Sequence, residues 1–210
     1  RRQELLKWAV EAPDRYIIED DYDSEFRYRG KPIPALQGMD RSGRVIYLGT
    51  FSKCIAPAIR VSYLVLPTHL LLRYRSQTSF YASTVSRIDQ NILYQFLAGG
   101  YFERHLNRMR AVYKTKHDLL LEQIEPLRER FEIRGEHAGI HILLTSRQGE
   151  SEEQLIQKAE EAGVKVYGLS SYFIHPQHNH RPATVVLGYA SLSEEQIVEG
   201  IRLLMECWDA

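Results

Sequence analysis

Short apolar runs that end in polar segments dominate the first part of the chain. Residues 45–48 and 61–66 are rich in β-forming side chains and predict two strands, with a hydroxyl-rich polar loop at 49–53 between them. Residues 16–18 predict an earlier, short buried strand, and the acidic cluster 19–25 predicts the polar loop that follows it.

Apolar positions at helical spacing predict most of the other elements. A helix over 1–12 ends at Pro13, and Ser193 followed by Gln196 is a capping-box pattern at the start of the last helix. The remaining helices are predicted at 68–79, 85–98, 101–125, 152–162 and 193–208, and the remaining strands at 131–133, 140–145, 164–167 and 183–189. This order predicts an α/β fold, with a largely parallel sheet and helices on its faces.

The pattern changes after Pro126, where a compact run of strands and helices begins. We therefore predict two domains. The first, residues 1–126, is part of a larger domain with connecting helices, and the second, residues 127–210, is a small α/β domain. Because the chain opens within a helical apolar stripe, without a methionine or a clear N-cap, we expect it to be a piece of a longer protein.

Charge and composition exclude several classes of function. Lys and Arg number 27, as do Asp and Glu, so no net charge indicates nucleic acid or a membrane surface as a partner. The basic helix predicted at 101–125 is interrupted by acidic residues, and we reject a nucleic-acid interpretation for it. No apolar run is long enough to span a bilayer, and Cys54 and Cys207 are far apart, which predicts a reduced, cytoplasmic protein.

The histidines do not form a convincing metal site. His175, His178 and His180 are irregularly spaced and have no carboxylate or cysteine nearby, so a surface loop is the favoured interpretation. His137 and His141 flank Gly139 and are interpreted as structural. We predict no metal ion.

Candidate chemistry lies where the first two strands end. Ligands collect at the carboxyl ends of parallel strands, so the acidic cluster and residues 50–53 are predicted to face one crevice. The amine of Lys53 could form a Schiff base, while nearby hydroxyls and Arg60 could hold a phosphate. A carboxylate of the cluster could pair with a pyridinium nitrogen. From spacing alone, a solvated lysine and a solvated acidic loop remain open alternatives.

Several motifs together resemble one known family. The runs IIEDDYDSEFRY, VIYLGTFSK, GYFERHLNRMR and AGIHILL resemble the C-terminal half of MocR-type transcriptional regulators. Those proteins join a winged-helix DNA-binding domain of the GntR kind to a fold-type-I, aminotransferase-like domain that binds pyridoxal 5'-phosphate (PLP). The resemblance covers essentially the whole chain, and it implies part of the large PLP domain followed by the small C-terminal domain.

The resemblance also implies roles for individual residues. Lys53 matches the lysine that holds PLP as an internal aldimine, and Asp20 matches the partner of the pyridinium nitrogen. Tyr22 matches the residue that contacts the phenolate oxygen of PLP. The hydroxyl and phosphate-binding positions are matched by Thr50, Ser52 and Arg60.

Two features depart from classical aminotransferases. Val186 stands where those enzymes carry the arginine that binds the substrate carboxylate, and Arg181 is the nearest arginine. The first half of the PLP domain, with its phosphate-binding turn and ring-stacking aromatic residue, is also absent from this sequence. We therefore expect this chain to hold only part of a cofactor site.

The favoured hypothesis is the PLP- and effector-binding domain of a MocR-type regulator that senses a small amino-group effector by transimination. Such a protein would be a homodimer and would bind DNA only through an N-terminal domain outside this chain. The first alternative is a stand-alone class I/II aminotransferase, in which Lys53 also transfers the substrate proton. The second is an interaction module with an inactive site.

Overall fold

The computed structural model describes residues 1–31, 33–174 and 182–209. They form two compact units, the first of Arg1–Glu25 and Lys31–Arg108 and the second of Phe26–Gly30 and Met109–Ala210. Helices and strands alternate through both, which confirms the predicted α/β class. The functional boundary after residue 126 stays a prediction.

The first unit contains a small sheet and a set of helices. Its strands are β1 (Ile17–Asp21), β2 (Val45–Thr50) and β3 (Ser62–Val65). Its helices are α1 (Arg2–Val10), α2 (Leu36–Met39), α3 (Phe51–Cys54), α4 (Thr68–Thr78) and α5 (Arg87–Ala98), and α6 (Tyr101–Gln123) contains residues of both units.

The strand order in this sheet is β1-β2-β3. β1 and β2 are parallel, with Asp20 opposite Leu48 and Asp21 opposite Gly49. β2 and β3 are antiparallel, with Gly49 opposite Tyr63, so the sheet expected to be largely parallel has one pair of each kind. The parallel pair brings the carboxyl ends of β1 and β2 to the same edge of the sheet.

Side-chain alternation divides this sheet into two faces. Ile18, Asp20 and Leu64 lie on one, which we call the open face, and Asp21, Tyr47 and Tyr63 lie on the other. Ile18 is 69% exposed and Leu64 is 55% exposed. The strand predicted at 16–18 is present as part of β1, but the prediction that it is buried was wrong. Apolar composition indicated a strand, but burial requires a second layer against that face.

Two predicted polar loops are partly regular structure. The first three acidic residues of the cluster continue β1 as far as Asp21, because their main chains pair with β2. The segment predicted as a loop after β2 forms the helical turn α3, which contains Lys53. Two main-chain N–H groups close that turn, since Ser52 N donates to Thr50 Oγ1 and Ile55 N donates to Phe51 O. The apolar pattern of the sequence does not report such contacts.

The second unit packs two helices against an antiparallel sheet of order β4-β5-β7-β6. Ile142, Leu144, Leu155, Val185 and Trp208 are among the fully buried side chains of its core. The strands are β4 (Phe131–Arg134), β5 (His141–Ser146), β6 (Tyr167–Gly168) and β7 (Thr184–Gly188), and the helices are α7 (Glu152–Glu161) and α8 (Glu194–Asp209).

Local signals in this unit met different outcomes. The capping box at α8 is confirmed, since Ser193 Oγ accepts from Gln196 N at 3.2 Å and Gln196 Oε1 accepts from Ser193 N at 2.8 Å. The strand predicted at 164–167 was wrong in extent, because only Tyr167 and Gly168 pair with β7. The preceding residues return from α7, where Val164 N donates to Ala159 O.

Two other sequence predictions concern the histidine-rich segment and the lack of a membrane-spanning stretch. The histidine segment 175–180 and Arg181 lie outside them. Across residues 1–31, 33–174 and 182–209, no helix has both the length and the apolar content needed to cross a bilayer.

The turn that leads into β2 is organised by one carboxylate. Asp40 Oδ1 accepts from Ser42 N at 2.8 Å, and Oδ2 accepts from Arg44 N at 2.5 Å and Val45 N at 2.8 Å. Partial burial would raise the pKa of Asp40, but these main-chain donors favour the charged form and lower the pKa below 3.8. Asp40 therefore anchors the start of the strand that ends at Thr50.

We predict that Asp40 contributes an acid-sensitive part of the stability. Because its folded pKa is depressed, the contribution is present above about pH 5 and is lost as the pH falls through the folded value. Asp40→Asn should therefore reduce the free energy of unfolding at neutral pH and flatten its decline in acid, measured by urea unfolding across pH. Asp14→Asn, at an exposed aspartate, is the control. An unchanged pH slope in Asp40→Asn would contradict the assignment.

Candidate functional site

Three consecutive carboxylates at the end of β1 have different surroundings. Glu19 accepts from the main-chain N–H groups of Leu36 at 2.6 Å and Gln37 at 2.8 Å, which fastens the start of α2. Asp21 accepts from Ser24 N at 3.2 Å, from Ser24 Oγ at 2.7 Å and from Tyr47 Oη at 2.8 Å. The carboxylates of Glu19 and Asp21 therefore stabilise the local main chain through these hydrogen bonds.

Asp20 differs from its two neighbours. It projects from the open face and is exposed, and its carboxylate has no hydrogen-bond or ion-pair partner among the described residues. Tyr22 follows just beyond the strand and is 40% exposed. The structure therefore leaves one carboxylate of the acidic run available to a ligand, and it is the one that the sequence motif singled out.

The hydroxyls before Lys53 are turned toward the main chain. Thr50 Oγ1 accepts from Ser52 N at 3.2 Å and donates to Val61 O at 3.3 Å. Ser52 is buried, and its Oγ donates to Ile59 O at 2.5 Å. Both hydroxyl protons are engaged within the protein, so Thr50 and Ser52 bind the segment at 59–61 to the turn. Their predicted contact with a phosphate stays a prediction.

The two cations of the site are exposed. Lys53 lies in α3, and its amine has no partner among the described residues. Arg60 Nη1 donates to Ser52 Oγ at 3.5 Å, which leaves most of the guanidinium for another acceptor. The neighbouring Cys54 is buried, and this burial raises the pKa of its thiol to about 11. Its thiol therefore stays protonated at neutral pH and is a poor nucleophile.

These positions define the chemistry that the sheet edge can perform. A carboxylate, an amine and a guanidinium, none of them neutralised by a described partner, can together bind an anionic molecule that also carries a cationic nitrogen and an aldehyde. Across the described part of the chain, no group of three or more metal-binding side chains occurs.

Sequence reasoning missed the tyrosines beneath this edge. Tyr47 and Tyr63 pack against each other, with ring centroids 6.2 Å apart. Tyr63 also lies against Gly49, where an added Cβ would be 2.3 Å from the ring. Gly49 was the available signal, since a glycine inside a strand often marks the close approach of another group.

Comparison with known proteins agrees with this fold. Residues 7–204 match the family described as "Aminotransferase class I and II". The chain belongs to this family. The match covers both structural units, including β1, β2 and the turn that carries Lys53.

The curated relatives include transcriptional regulators and aminotransferases. The chain is 46% identical over 209 residues to an uncharacterized HTH-type transcriptional regulator, YdeL of Bacillus subtilis (strain 168), covering 99% of this chain and 44% of YdeL. It is 36% identical to the probable rhizopine catabolism regulatory protein MocR of Rhizobium meliloti, covering 92% of this chain and 39% of MocR. The predicted resemblance to MocR-type regulators is confirmed, and the chain spans less than half the length of these relatives.

A solved aminotransferase shares the fold. The kynurenine aminotransferase of Pyrococcus horikoshii, solved in complex with PMP, superposes with a TM-score of 0.86 at 30% identity. The superposition covers 99% of this chain and 51% of that enzyme. Membership of this family and the cofactor complex of this neighbour imply PLP as the cofactor.

We predict that Gly49→Ala disturbs the edge through Tyr63. The new Cβ would lie 2.3 Å from Tyr63 Cζ, so the ring must move and lose its contacts with Tyr47 and Phe51. The expected loss is about 1–3 kcal/mol in the free energy of unfolding. The measurement is urea unfolding, with Gly38→Ala as the control because nothing lies within 4 Å of its Cβ position.

The same experiment in a Tyr63→Ala background isolates the contact. There the Gly49→Ala substitution should cost little, because the clashing ring is gone. Equal costs in both backgrounds would show that the effect does not pass through Tyr63.

Proposed function

We propose that this chain is part of the PLP- and effector-binding domain of a MocR-type transcriptional regulator. Its role is to hold the cofactor at the shared end of β1 and β2 and to sense a small amino-group effector. DNA would be bound by an N-terminal domain outside this chain, and the assembly would be a homodimer in the cytoplasm.

One observation carries the cofactor part of the proposal. Asp20 lies at the end of β1 and Lys53 just after β2, two parallel, hydrogen-bonded strands, and neither side chain has a partner among the described residues. Surface charges often lack partners, but the neighbours of Asp20 are fully engaged in holding local structure. Leaving one carboxylate and one amine free at the same edge is what a site for a charged ligand requires.

The residues present fit the chemistry of PLP. The Asp20 carboxylate would accept a hydrogen bond from the protonated pyridinium nitrogen and so keep the ring cationic. Tyr22 would hydrogen-bond the phenolate oxygen. Arg60 would bind the phosphate, with Thr50 and Ser52 beside it. Lys53 Nζ would hold the cofactor covalently through its aldehyde carbon, with the aldehyde oxygen leaving as water. When bound, PLP supplies an electron sink for groups attached through that carbon.

Sensing would follow from exchange at Lys53. The amine of an effector would take the place of Lys53 by transimination, which releases the lysine amine without any oxidant or reductant. The freed side chain belongs to the short turn that Thr50 and Ser52 bind to residues 59–61. A change in that turn would alter the population of domain arrangements and so the binding of DNA. The similarity to HTH-type regulators supports this output.

The second candidate function is that of an aminotransferase. The superposition with the kynurenine aminotransferase, at 30% identity, supports it. In that case Lys53 would also move a proton at the substrate Cα and would regenerate in each cycle. Val186, in place of a carboxylate-binding arginine, favours the regulator.

We predict that Lys53 is required for the visible absorbance of bound cofactor. In the full-length protein with PLP, wild type should develop the band, and Lys53→Ala should lose it because no amine remains at that position. The measurement is absorbance spectroscopy during a PLP titration. Lys7→Ala, at an exposed lysine of α1, is the matched control and should behave as wild type.

Equal bands in wild type and Lys53→Ala would overturn the assignment of Lys53. The two candidate functions separate when an amino acid and a keto acid are added. One stoichiometric spectral change without turnover supports the regulator, whereas steady turnover supports the enzyme.

We predict that Asp20 affects cofactor binding and not folding. Its carboxylate contacts no described residue, so Asp20→Asn should change the free energy of unfolding by less than about 0.5 kcal/mol. The loss of a charged hydrogen bond should weaken PLP binding about tenfold or more. Fluorescence or absorbance titration measures the affinity, with Asp14→Asn as the control. Wild-type affinity in Asp20→Asn would contradict the role of Asp20.

A further inference from the structure

A chain of hydrogen bonds runs beneath the edge of the sheet, on the face opposite Asp20. Tyr47 Oη donates to Asp21 Oδ2 at 2.8 Å. Ser24 donates to both oxygens of Asp21, at 3.2 Å from N and 2.7 Å from Oγ. These hydrogen bonds link β1 to β2. The ring of Tyr63 packs against Tyr47, with centroids 6.2 Å apart, and extends the network to β3.

Sheet geometry explains why these side chains meet. Asp21 is opposite Gly49, and Tyr47 precedes Gly49 by two residues, so Tyr47 reaches Asp21 as a diagonal neighbour on one face. Tyr63 is directly opposite Gly49 on β3 and occupies the space that a side chain there would fill. Phe51 supports Tyr63 from α3, with ring centroids 5.3 Å apart.

We propose that Asp21, Tyr47 and Tyr63 form a positioning network that orients Asp20 and the Lys53 turn for the cofactor. Neither tyrosine contacts the ligand in this arrangement. The inference deepens the proposed function and rests on it.

Because successive side chains of a strand point to opposite faces, fixing Asp21 on one face also orients Asp20 on the other. β1 is at one side of the three-stranded order, and its pairing with β2 ends at Asp21, where strand ends normally fray. Holding the Asp21 carboxylate on one face fixes the main chain there, and this fixes the direction of Asp20 on the other. Tyr63 extends the same support to α3, because its ring contacts Phe51, the first residue of that helix, which lies two positions before Lys53.

The network keeps its donors over a wide pH range. Burial raises the pKa of Tyr47, and the hydrogen bond to the Asp21 carboxylate raises it further. Burial also raises the pKa of Tyr63. The Tyr47 phenol therefore remains protonated at neutral pH, as donation to Asp21 requires.

The first test needs no cofactor. In the cofactor-free full-length protein, Tyr47→Phe should speed amide hydrogen exchange in residues 19–24 about tenfold, while the core strand β5 keeps its protection. Tyr63→Ala should have a smaller effect in the same direction, because it removes the ring that packs against Tyr47 and leaves the Tyr47–Asp21 hydrogen bond in place. Tyr16→Phe is the matched control, since it removes a hydroxyl that is 2.8 Å from His69 Nε2 and outside the network. Unchanged exchange at 19–24 in Tyr47→Phe would overturn the network as a positioning device.

The second test asks whether the position matters to the ligand. Tyr47→Phe should raise the PLP dissociation constant about tenfold, and the penalty should be much smaller for 1-deaza-PLP, which lacks the ring nitrogen that Asp20 would contact. An equal penalty for both ligands would overturn the link to Asp20, because general destabilisation would affect them alike. Absence of the cofactor band in wild type would instead reject the proposed function, and with it any role of the network toward PLP. The exchange result would still report on the network itself.

Discussion

The parallel pairing of β1 with β2 is the constraint on which the candidate site depends. It sets Asp20 opposite Leu48 and brings the ends of both strands to one edge, so that residues 28 positions apart in sequence become neighbours. A shift of the register by one residue would exchange the faces of Asp20 and Asp21. Asp21, which now holds the main chain, would then be on the open face in place of Asp20. Register therefore decides which acid serves the site.

Around this pair of strands, the polar side chains that hydrogen-bond the protein itself differ from those that remain available to a ligand. Glu19 and Asp21 accept main-chain and side-chain donors, and the hydroxyls of Thr50 and Ser52 are turned to carbonyl groups. Asp20, Lys53 and most of Arg60 remain without described partners. A site in which polar groups are either fully satisfied or fully free is suited to a ligand with several charges, since little protein rearrangement is needed when it binds. The similarity to aminotransferases and to HTH-type regulators gives this arrangement its context.

Some features of the chain could be predicted from local chemistry. The capping box of α8 needs only Ser193 and Gln196 at the right spacing, and the long amphipathic helices need only their apolar period. Other features depend on contacts that no local pattern reports. Ile18 looks like a core residue but is 69% exposed, because its burial depends on what lies against its face of the sheet. The turn at Lys53 is helical because Thr50 and residues 59–61 close it, and Tyr47 and Tyr63 meet only through strand register.

The amino-acid sequence by itself determined the α/β class, the candidate residues Asp20, Tyr22, Lys53 and Arg60, and the resemblance to MocR-type regulators, because these follow from side-chain chemistry and motif order. Only the tertiary structure decided that Asp20 and Asp21 have opposite surroundings, that the hydroxyls before Lys53 are engaged, and that a tyrosine network lies beneath the edge. Those distinctions arise from pairing between strands distant in sequence, and pairing is a property of the folded sheet.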